Sequence, residues 1–342
     1  MKTLKIQGTT GVSNIRIGER LQHLKNYVDA EKAIIVTDTN VKHYYQKKFP
    51  PYDVITVETG EKTKNLDTVR NIYRKLVELE ADRSTLLIGI GGGIVCDITG
   101  FVASTFLRGM RFGFVSSTLL SQVDASVGGK NGVNFEGYKN MIGVFEQPQF
   151  VICDLDLLKT LPEKEILCGL AEIIKHAAIQ DAELFTYIET HAEKILSLDT
   201  EVMEKLVHNS VAIKARIVNR DEKEKGERRK LNFGHTFGHA LEKTTGVSHG
   251  EAVSAGMMLA AEISEKKGGL PADDANRLKK MLQRFNLPTK LPADRTTILE
   301  ALRKDKKRAG DHIFFVLLSA IGNAFVEKIA VKDFEALISD LD

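Results

Sequence analysis

Residues Ser84–Phe106 read STLLIGIGGGIVCDITGFVASTF, and this stretch decides the fold class. Ser84 to Ile90 is a near-continuous apolar run of strand length. Gly91-Gly92-Gly93 follows, and the mostly apolar residues from there to Phe106 read as a buried helix. Strand, glycine turn and helix have the form of a phosphate cradle, in which free amides at a helix N-terminus face an anion with no side chains in the way. The common dinucleotide fingerprint is not met. Ile94 stands where it needs another glycine, and Asp38 ends a strand before the glycines instead of following them. Taken alone, a tight turn packed against a helix explains the pattern equally well, and Asp97 could be only a favourable charge near the positive end of that helix.

Outward from this stretch, strand and helix signals alternate. KAIIVTD (Lys32–Asp38), YDVITVE (Tyr52–Glu58) and Phe112–Ser116 read as strands. Asn65–Leu79 carries Leu66, Val69, Ile72, Tyr73, Leu76 and Leu79 at helical spacing. Such alternation predicts a parallel sheet covered by helices. The pattern changes near Pro162. Helical periodicity then runs through Pro162–Ile179, Glu201–Arg220, the stretch after Asn232, Glu251–Lys267, Asp274–Phe285 and Thr296–Lys304. HIFFVLLSAIGNAFVEKIAV (His312–Val331) predicts a hairpin turning at Gly322-Asn323, followed by a last amphipathic helix. The fold class is therefore α/β, a Rossmann-like parallel-sheet domain over residues 1–160 followed by a mainly α-helical domain over 161–342.

A chain of 342 residues with 43% hydrophobic and 27% charged residues can bury two cores without disulfides or structural metal. Its net charge of +2 gives no reason to expect nucleic acid or a membrane surface as partner, while local basic clusters can still hold small anions. Cys96, Cys153 and Cys168 form no Cys-x-x-Cys pair, which excludes a thiolate zinc site and fits a reducing compartment. The N-terminus lacks the apolar core of a signal peptide, and the longest apolar stretch, Leu86–Val95, is too short to span a bilayer. A cytoplasmic location is the expectation.

Two further clusters could carry chemistry. Ser117–Pro148 holds Asp124, Lys130, Lys139 and Asn140 among five glycines, with Arg108 upstream. Spaced lysines on a glycine-rich segment suit an anionic, hydroxylated substrate, although composition alone favours a flexible surface loop with solvated charges. GLAEIIKH places Glu172 and Lys175 on one helix face beside Ile166, Leu170, Ile173, Ile174 and Ala177. NFGHTFGH then offers His235 and His239 on another helix, and His249 follows in SHGEA. A carboxylate with two imidazoles is a usual ligand set for a catalytic divalent metal. The zinc-peptidase form of His-x-x-x-His fails, because Thr236 stands where that motif needs glutamate. Separately, each histidine is more often structural, and Glu172–Lys175 more often a surface ion pair of little worth.

These motifs together resemble the 3-dehydroquinate synthase family of the sugar phosphate cyclases. GGGIVCDITGF, STLLSQVDASVGGKNGVN, YKNMIG, GLAEIIKH, DEKEKGERRKLNFGHTFGHALE and HGEAV occur in the family's order, and the match runs from about Asp38 to Lys304–Lys307. The resemblance implies that Glu172, His235 and His249 hold a divalent metal, zinc or cobalt. It implies that Asp38, Glu61, Lys64, Gly92, Gly93, Asp97, Ser117 and Thr118 hold NAD. Asp124, Lys130, Lys139, Asn140, Lys175 and His239 would serve catalysis, and Lys214, Arg228, Asn232 and Lys306 would bind substrate. Arg108 would reach the substrate phosphate of a neighbouring subunit, which implies a homodimer. The implied reaction is that of a phosphorus-oxygen lyase of the shikimate pathway, which makes 3-dehydroquinate and phosphate from 3-deoxy-arabino-heptulosonate 7-phosphate with transient NAD reduction. Cys96 stands where the family more often has glycine, Asn131 where threonine is usual, and Ser116-Ser117 where Pro-Thr is usual, and none of these removes a charge or a metal ligand.

Other readings predict different residues. Glycerol dehydrogenase and the iron-type alcohol dehydrogenases handle small neutral alcohols, which leaves the lysine cluster and Arg228 without a purpose. Cyclases making aminocyclitol precursors act on substrates without a carboxylate, against which Arg228 argues. A catalytically silent relative would have lost a metal ligand or a phosphate lysine, and none is lost.

Overall fold

The computed structural model describes residues 1–290, 312–330, 332, 333 and 337. The chain forms two compact units, Met1–Ile166 with Met203–Glu222, and Leu167–Val202 with Lys223–Asp342. The expected division at residue 160 left Met203–Glu222 in the helical domain. This segment is bonded instead to the first unit: Asn219 Oδ1 accepts from Gln7 N at 2.9 Å, Glu222 Oε2 accepts from Thr9 N at 2.9 Å, and Lys214 Nζ donates to Asp124 Oδ1 at 2.5 Å. No helix among the described residues is long and apolar enough to cross a membrane.

The first unit contains β1 (Lys2–Gln7), β2 (Val12–Ile17), β3 (Ala33–Asp38), α1 (Thr39–Tyr45), β4 (Asp53–Val57), α2 (Leu66–Glu78), β5 (Leu86–Gly91), α3 (Gly93–Thr105), β6 (Arg111–Ser116), β7 (Lys130–Phe135), β8 (Tyr138–Phe145) and β9 (Phe150–Cys153). Among the described residues its main sheet runs β1-β2-β9-β6-β5-β3-β4. All neighbours are parallel except the hairpin β1–β2, which extends the edge beyond β9. The N-terminal hairpin and β9 escape sequence reading because β1 is largely exposed and β9 has only four residues.

Every residue of β5 is buried, as a strand covered on both faces requires. Ile35, Ile88, Ile90, Val115 and Ile152 belong to one core cluster with Leu21, Leu24, Val41 and Leu157. Helix α3 lies against the sheet where glycine permits, since a Cβ at Gly89 would sit 2.9 Å from Thr99 Oγ1. The chain runs β3, α1, β4 toward one edge, then returns through α2 to β5 on the other side of β3. The carboxyl ends of β3 and β5 thus form a topological switch point, where open α/β sheets bind ligands. Asp38 ends β3 and Gly91 ends β5, so the acid before the glycines in sequence is placed beside them by strand order.

The segment read from composition as a flexible loop is ordered. Ser121–Ala125 forms a π-helical turn, and β7 pairs with β8 as an antiparallel hairpin with Lys130 opposite Phe145. Asn131 is 5% exposed and donates to Gly129 O at 3.0 Å and Glu146 O at 2.9 Å.

The second unit holds most of α4 (Glu163–Gln180), α5 (Ala182–Thr190), α6 (Ala192–Leu196) and the start of α7 (Thr200–Arg220), whose remainder belongs to the first unit. It continues with α8 (His235–Thr245), α9 (His249–Lys266), α10 (Ala272–Arg284), β10 (His312–Ala320) and β11 (Asn323–Ala330). Phe237 of α8 meets Phe315 of β10 edge-on, with ring centroids 5.5 Å apart. The β10–β11 turn falls at Ile321-Gly322, one residue before the position expected, because Asn323 already pairs with Ala320 and Gly322 takes a positive φ of 87°. The expected helix Thr296–Lys304, most of the last amphipathic helix and Lys306 lie outside the described residues.

The α3–β7 contact generates a stability prediction. A Cβ at Gly100 would lie 1.9 Å from Asn131 Oδ1 and 3.1 Å from Asn131 Cβ. Helix propensity alone favours alanine over glycine by about 1 kcal/mol. Overpacking against a buried, doubly bonded side chain costs about 1–3 kcal/mol, so the clash wins. Gly100→Ala should lower the urea midpoint rather than raise it, and equilibrium denaturation checks the sign.

Candidate active site

The candidate side chains form two groups, one within each unit. In the second unit Glu172 stands on α4 with a side chain that is 0% exposed. Its Oε2 pairs with Lys175, one helical turn away and 1% exposed. What sequence alone reads as a weak surface pair is a fully buried one. Glu172 Oε1 faces His249 Nε2 at 3.0 Å and His235 Nε2 at 3.5 Å. His235 begins α8 and His249 begins α9, so both imidazoles sit at helix starts. The two helices cross closely because a Cβ at Gly256 would lie 2.0 Å from Gly234 O.

Burial opposes the Glu172 charge, but Lys175, His235 and His249 hold its carboxyl well below the usual carboxylate range. Burial and the nearby Lys175 charge push His235 well below the ordinary imidazole range, so it stays neutral. Burial also disfavours charge on His249, yet its hydrogen bonds to Glu172 and Glu242 raise it to about 10. Ligand atoms of Glu172, His235 and His249 lie within 4.8 Å of one another. One carboxylate oxygen and two imidazole nitrogens at this spacing fit a divalent metal of the zinc or cobalt kind.

His239 lies on α8, exposed, with its ring centroid 5.3 Å from that of His235. Arg228, which the family resemblance assigns to substrate, is 2% exposed within the 3-10 turn Glu227–Asn232. Asn232 Nδ2 donates to Glu224 Oε1 at 2.5 Å.

In the first unit the glycine turn caps α3 without a side chain, Gly92 serving as N-cap. A Cβ at Gly92 would lie 2.9 Å from Thr118 Cγ2, and one at Gly93 2.9 Å from Ala125 Cβ. Ser117 N donates to Gly91 O at 2.9 Å, and its buried hydroxyl has no hydrogen-bond partner among the described residues. A side-chain-free helix start beside an unpaired buried hydroxyl fits a dinucleotide pyrophosphate. Asp38 Oδ1 accepts from Val41 N at 2.9 Å, capping α1, and burial raises its carboxyl. Lys64, 6% exposed, pairs with Asp97 and donates to Asn140 Oδ1 at 2.5 Å. Burial raises the Asp97 carboxyl even though Lys64 opposes the shift. Cys96, 1% exposed on α3, is a packing residue whose thiol burial pushes upward.

The hairpin β7–β8 carries Lys130, Lys139 and Asn140, all exposed, and Asn140 adopts a positive φ of 52°. Asn134 joins two of the predicted residues, donating to Glu61 Oε1 at 2.7 Å and accepting from Asn140 N at 2.9 Å. Lys214 donates to both the backbone and the carboxylate of Asp124, at 2.6 and 2.5 Å. Arg108 is exposed in a turn where Leu107, Arg108 and Gly109 all have positive φ, which holds it away from the helix before it. Sequence reading passed over Asn134 and Glu242. A carboxylate in the last turns of α8, within reach of a histidine seven residues on, was the available signal for Glu242.

Residues 54–168 match the family described as 3-dehydroquinate synthase N-terminal, and residues 169–308 the family described as 3-dehydroquinate synthase C-terminal. The chain is 45% identical to the 3-dehydroquinate synthase of Acetivibrio thermocellus over 297 residues, 84% of this chain and 82% of that one. It is 43% identical to that of Pyrococcus furiosus over 323 residues, 91% of this chain and 93% of that one. Among solved structures it is similar to a 2-deoxy-scyllo-inosose synthase in complex with carbaglucose-6-phosphate, NAD+ and Co2+, with a TM-score of 0.88 and 25% identity, covering 98% of this chain and 99% of that one.

The electrostatics predict a pH dependence for the metal-free protein. His249 binds its proton up to about pH 10 when folded, against about 6.5 when unfolded, so its contribution to stability is complete below pH 6.5 and lost as pH rises toward 10. Glu172 acts in the opposite sense, contributing above the usual carboxylate range and losing that contribution as pH falls. The urea midpoint should therefore fall between pH 6.5 and 9, and His249→Ala should flatten that slope. Metal binding at pH 8 should release about one proton, measurable in weakly buffered solution.

Proposed function

The chain belongs to the 3-dehydroquinate synthase family, and from that premise we propose that it converts 3-deoxy-arabino-heptulosonate 7-phosphate to 3-dehydroquinate and phosphate. Atoms and redox state balance, because the product plus phosphoric acid has the composition of the substrate. The observation that carries this reading is the buried Glu172 carboxylate facing His235, His249 and Lys175, in a chain that also keeps a side-chain-free glycine turn at a sheet switch point. When bound, a divalent metal would acidify a substrate hydroxyl and NAD would accept and return a hydride at the same carbon.

The chain's own residues supply binding, orientation and proton handling. Glu172, His235 and His249 would hold the metal, with Lys175 keeping the carboxylate ionised. Gly92 and Gly93 would let the dinucleotide pyrophosphate approach α3, Ser117 and Thr118 would donate to it, and Asp38 would accept from a ribose hydroxyl. Glu61, Lys64 and Asp97 would complete that cofactor site. Lys130, Lys139, Asn140, Asn232, His239 and Lys306 would bind the dianionic phosphate, which in this reading takes up the adjacent carbon-bound proton before leaving. Lys214 and Arg228 would hold the substrate carboxylate, the arginine through a planar two-point pair. Asp124, which pairs with Lys214, would orient it for that task. In a homodimer the exposed Arg108 would serve the partner's phosphate site. Cys96, Cys153 and Cys168 are buried thiols outside any disulfide, which supports a cytoplasmic setting.

Purified protein given the heptulosonate phosphate, NAD and zinc should release phosphate with no net NADH. Arg228→Lys keeps charge but loses the fork, and should lower kcat/KM roughly tenfold to a hundredfold, with Arg228→Ala lower still. Cofactor affinity should be unchanged in both variants. A wild type that turns over a carboxylate-free sugar phosphate equally well, matched by both variants, would overturn the assignment.

A further inference from the structure

We propose that Glu242 is a positioning residue of the metal centre, its carboxylate fixing the tautomer and ring orientation of His249 so that Nε2 is turned toward the metal position beside Glu172. The proposal rests on the metal reading of Glu172, His235 and His249. The two imidazoles are held unequally at their outer nitrogens. His235 Nδ1 lies 3.3 Å from Phe233 O, a neutral carbonyl at the long end of hydrogen bonding. His249 Nδ1 lies 2.6 Å from Glu242 Oε1, and the Glu242 side chain is only 4% exposed.

A carboxylate buried this deeply needs a donor, and an ionised carboxylate can only accept. With a metal held at Nε2, which lies 3.0 Å from Glu172 Oε1, the single N–H of His249 sits on Nδ1, where Glu242 accepts it. The main chain around His249 is already fixed from both sides. Ser248 N donates to Glu251 Oε2 at 2.8 Å in a capping box, and Gly250 N donates to Cys168 Sγ at 3.2 Å. A Cβ at Gly250 would lie 2.5 Å from Cys168 Cα, so α9 starts directly on α4, four residues before Glu172. With backbone placed, the side-chain torsions of His249 are the freedom that remains, and Glu242 removes it. Such outer partners of ligating histidines typically govern metal affinity by tenfold to a hundredfold.

The test compares Co2+ binding by wild type, Glu242→Ala and Glu242→Gln, using competition with a chromogenic chelator and the visible absorption of the bound ion. Glu242→Ala should bind Co2+ about 10–100-fold more weakly with an altered visible spectrum. Glu242→Gln keeps an oxygen acceptor without its charge and should fall between the two. Urea unfolding of each metal-free variant separates positioning from a structural role, which would lower stability and leave the affinity of folded protein unchanged. Wild-type affinity and spectrum in folded Glu242→Ala would overturn the proposal; if that variant does not fold, the same result in Glu242→Gln would. A wild type that takes up no Co2+ overturns the metal reading and this proposal with it. Every readout is independent of which sugar phosphate the enzyme turns over.

Discussion

A carboxylate with no exposed surface cannot remain ionised unless cations and donors replace the water it has lost, and much of the helical unit is arranged around Glu172 for that purpose. Lys175 approaches along the same helix, while His235 and His249 arrive from the starts of two others. Those helix starts can reach it because Gly234, Gly250 and Gly256 remove side chains where backbones meet. The arrangement is a poor stability device, since apolar residues of the same volume would pack as well without desolvation cost. It makes physical sense as a site kept ready for a doubly charged ion, with one proton on His249 standing in for part of that charge.

The first unit answers a different demand, since the dinucleotide proposed for it is an extended anion to be held without surrounding it with charge. Its cradle is made by subtraction: glycines end β5 and begin α3, and the sheet order sets Asp38 next to them. Lys64 and Asp97 neutralise each other close to the start of α3, so a cation is stored there already paired and buried. The Asp124–Lys214 pair repeats the device on a helix contributed from later in the chain. In both pairs the cation is pre-oriented by its partner, which lowers the entropy lost when a ligand is gripped.

Much of this was legible in sequence because it depends on local period and on residue type. The Leu86–Gly91 strand, the glycine turn and the amphipathic α2 are near-neighbour patterns, and the structure has them where the spacing puts them. The hairpin β7–β8 was not legible, because β8 is largely exposed while β7 buries Asn131, Gly132 and Val133 in succession, so neither strand offers apolar alternation to read. The burial of Arg228 was likewise not legible from the pattern, since a charged run carries no signal that one of its members turns inward, and only the family resemblance singled it out. The Met203–Glu222 segment was assigned by adjacency to the helical domain, whereas its partners Gln7, Thr9 and Asp124 lie far earlier in the chain.

By itself the sequence determined the fold class, the glycine turn, and the identities of one carboxylate and the candidate histidines, because these follow from periodicity and from which side chains can do metal and phosphate chemistry. Family resemblance then singled out His235 and His249 over His239. Only the tertiary structure decided that Glu172–Lys175 is buried rather than superficial, that Asp38 stands beside a glycine turn more than fifty residues later, and that Glu242 backs His249. Those outcomes turn on strand order and helix crossing, which bring together groups far apart in the chain, and burial decides whether a pair of charges is worth little or governs the chemistry around it.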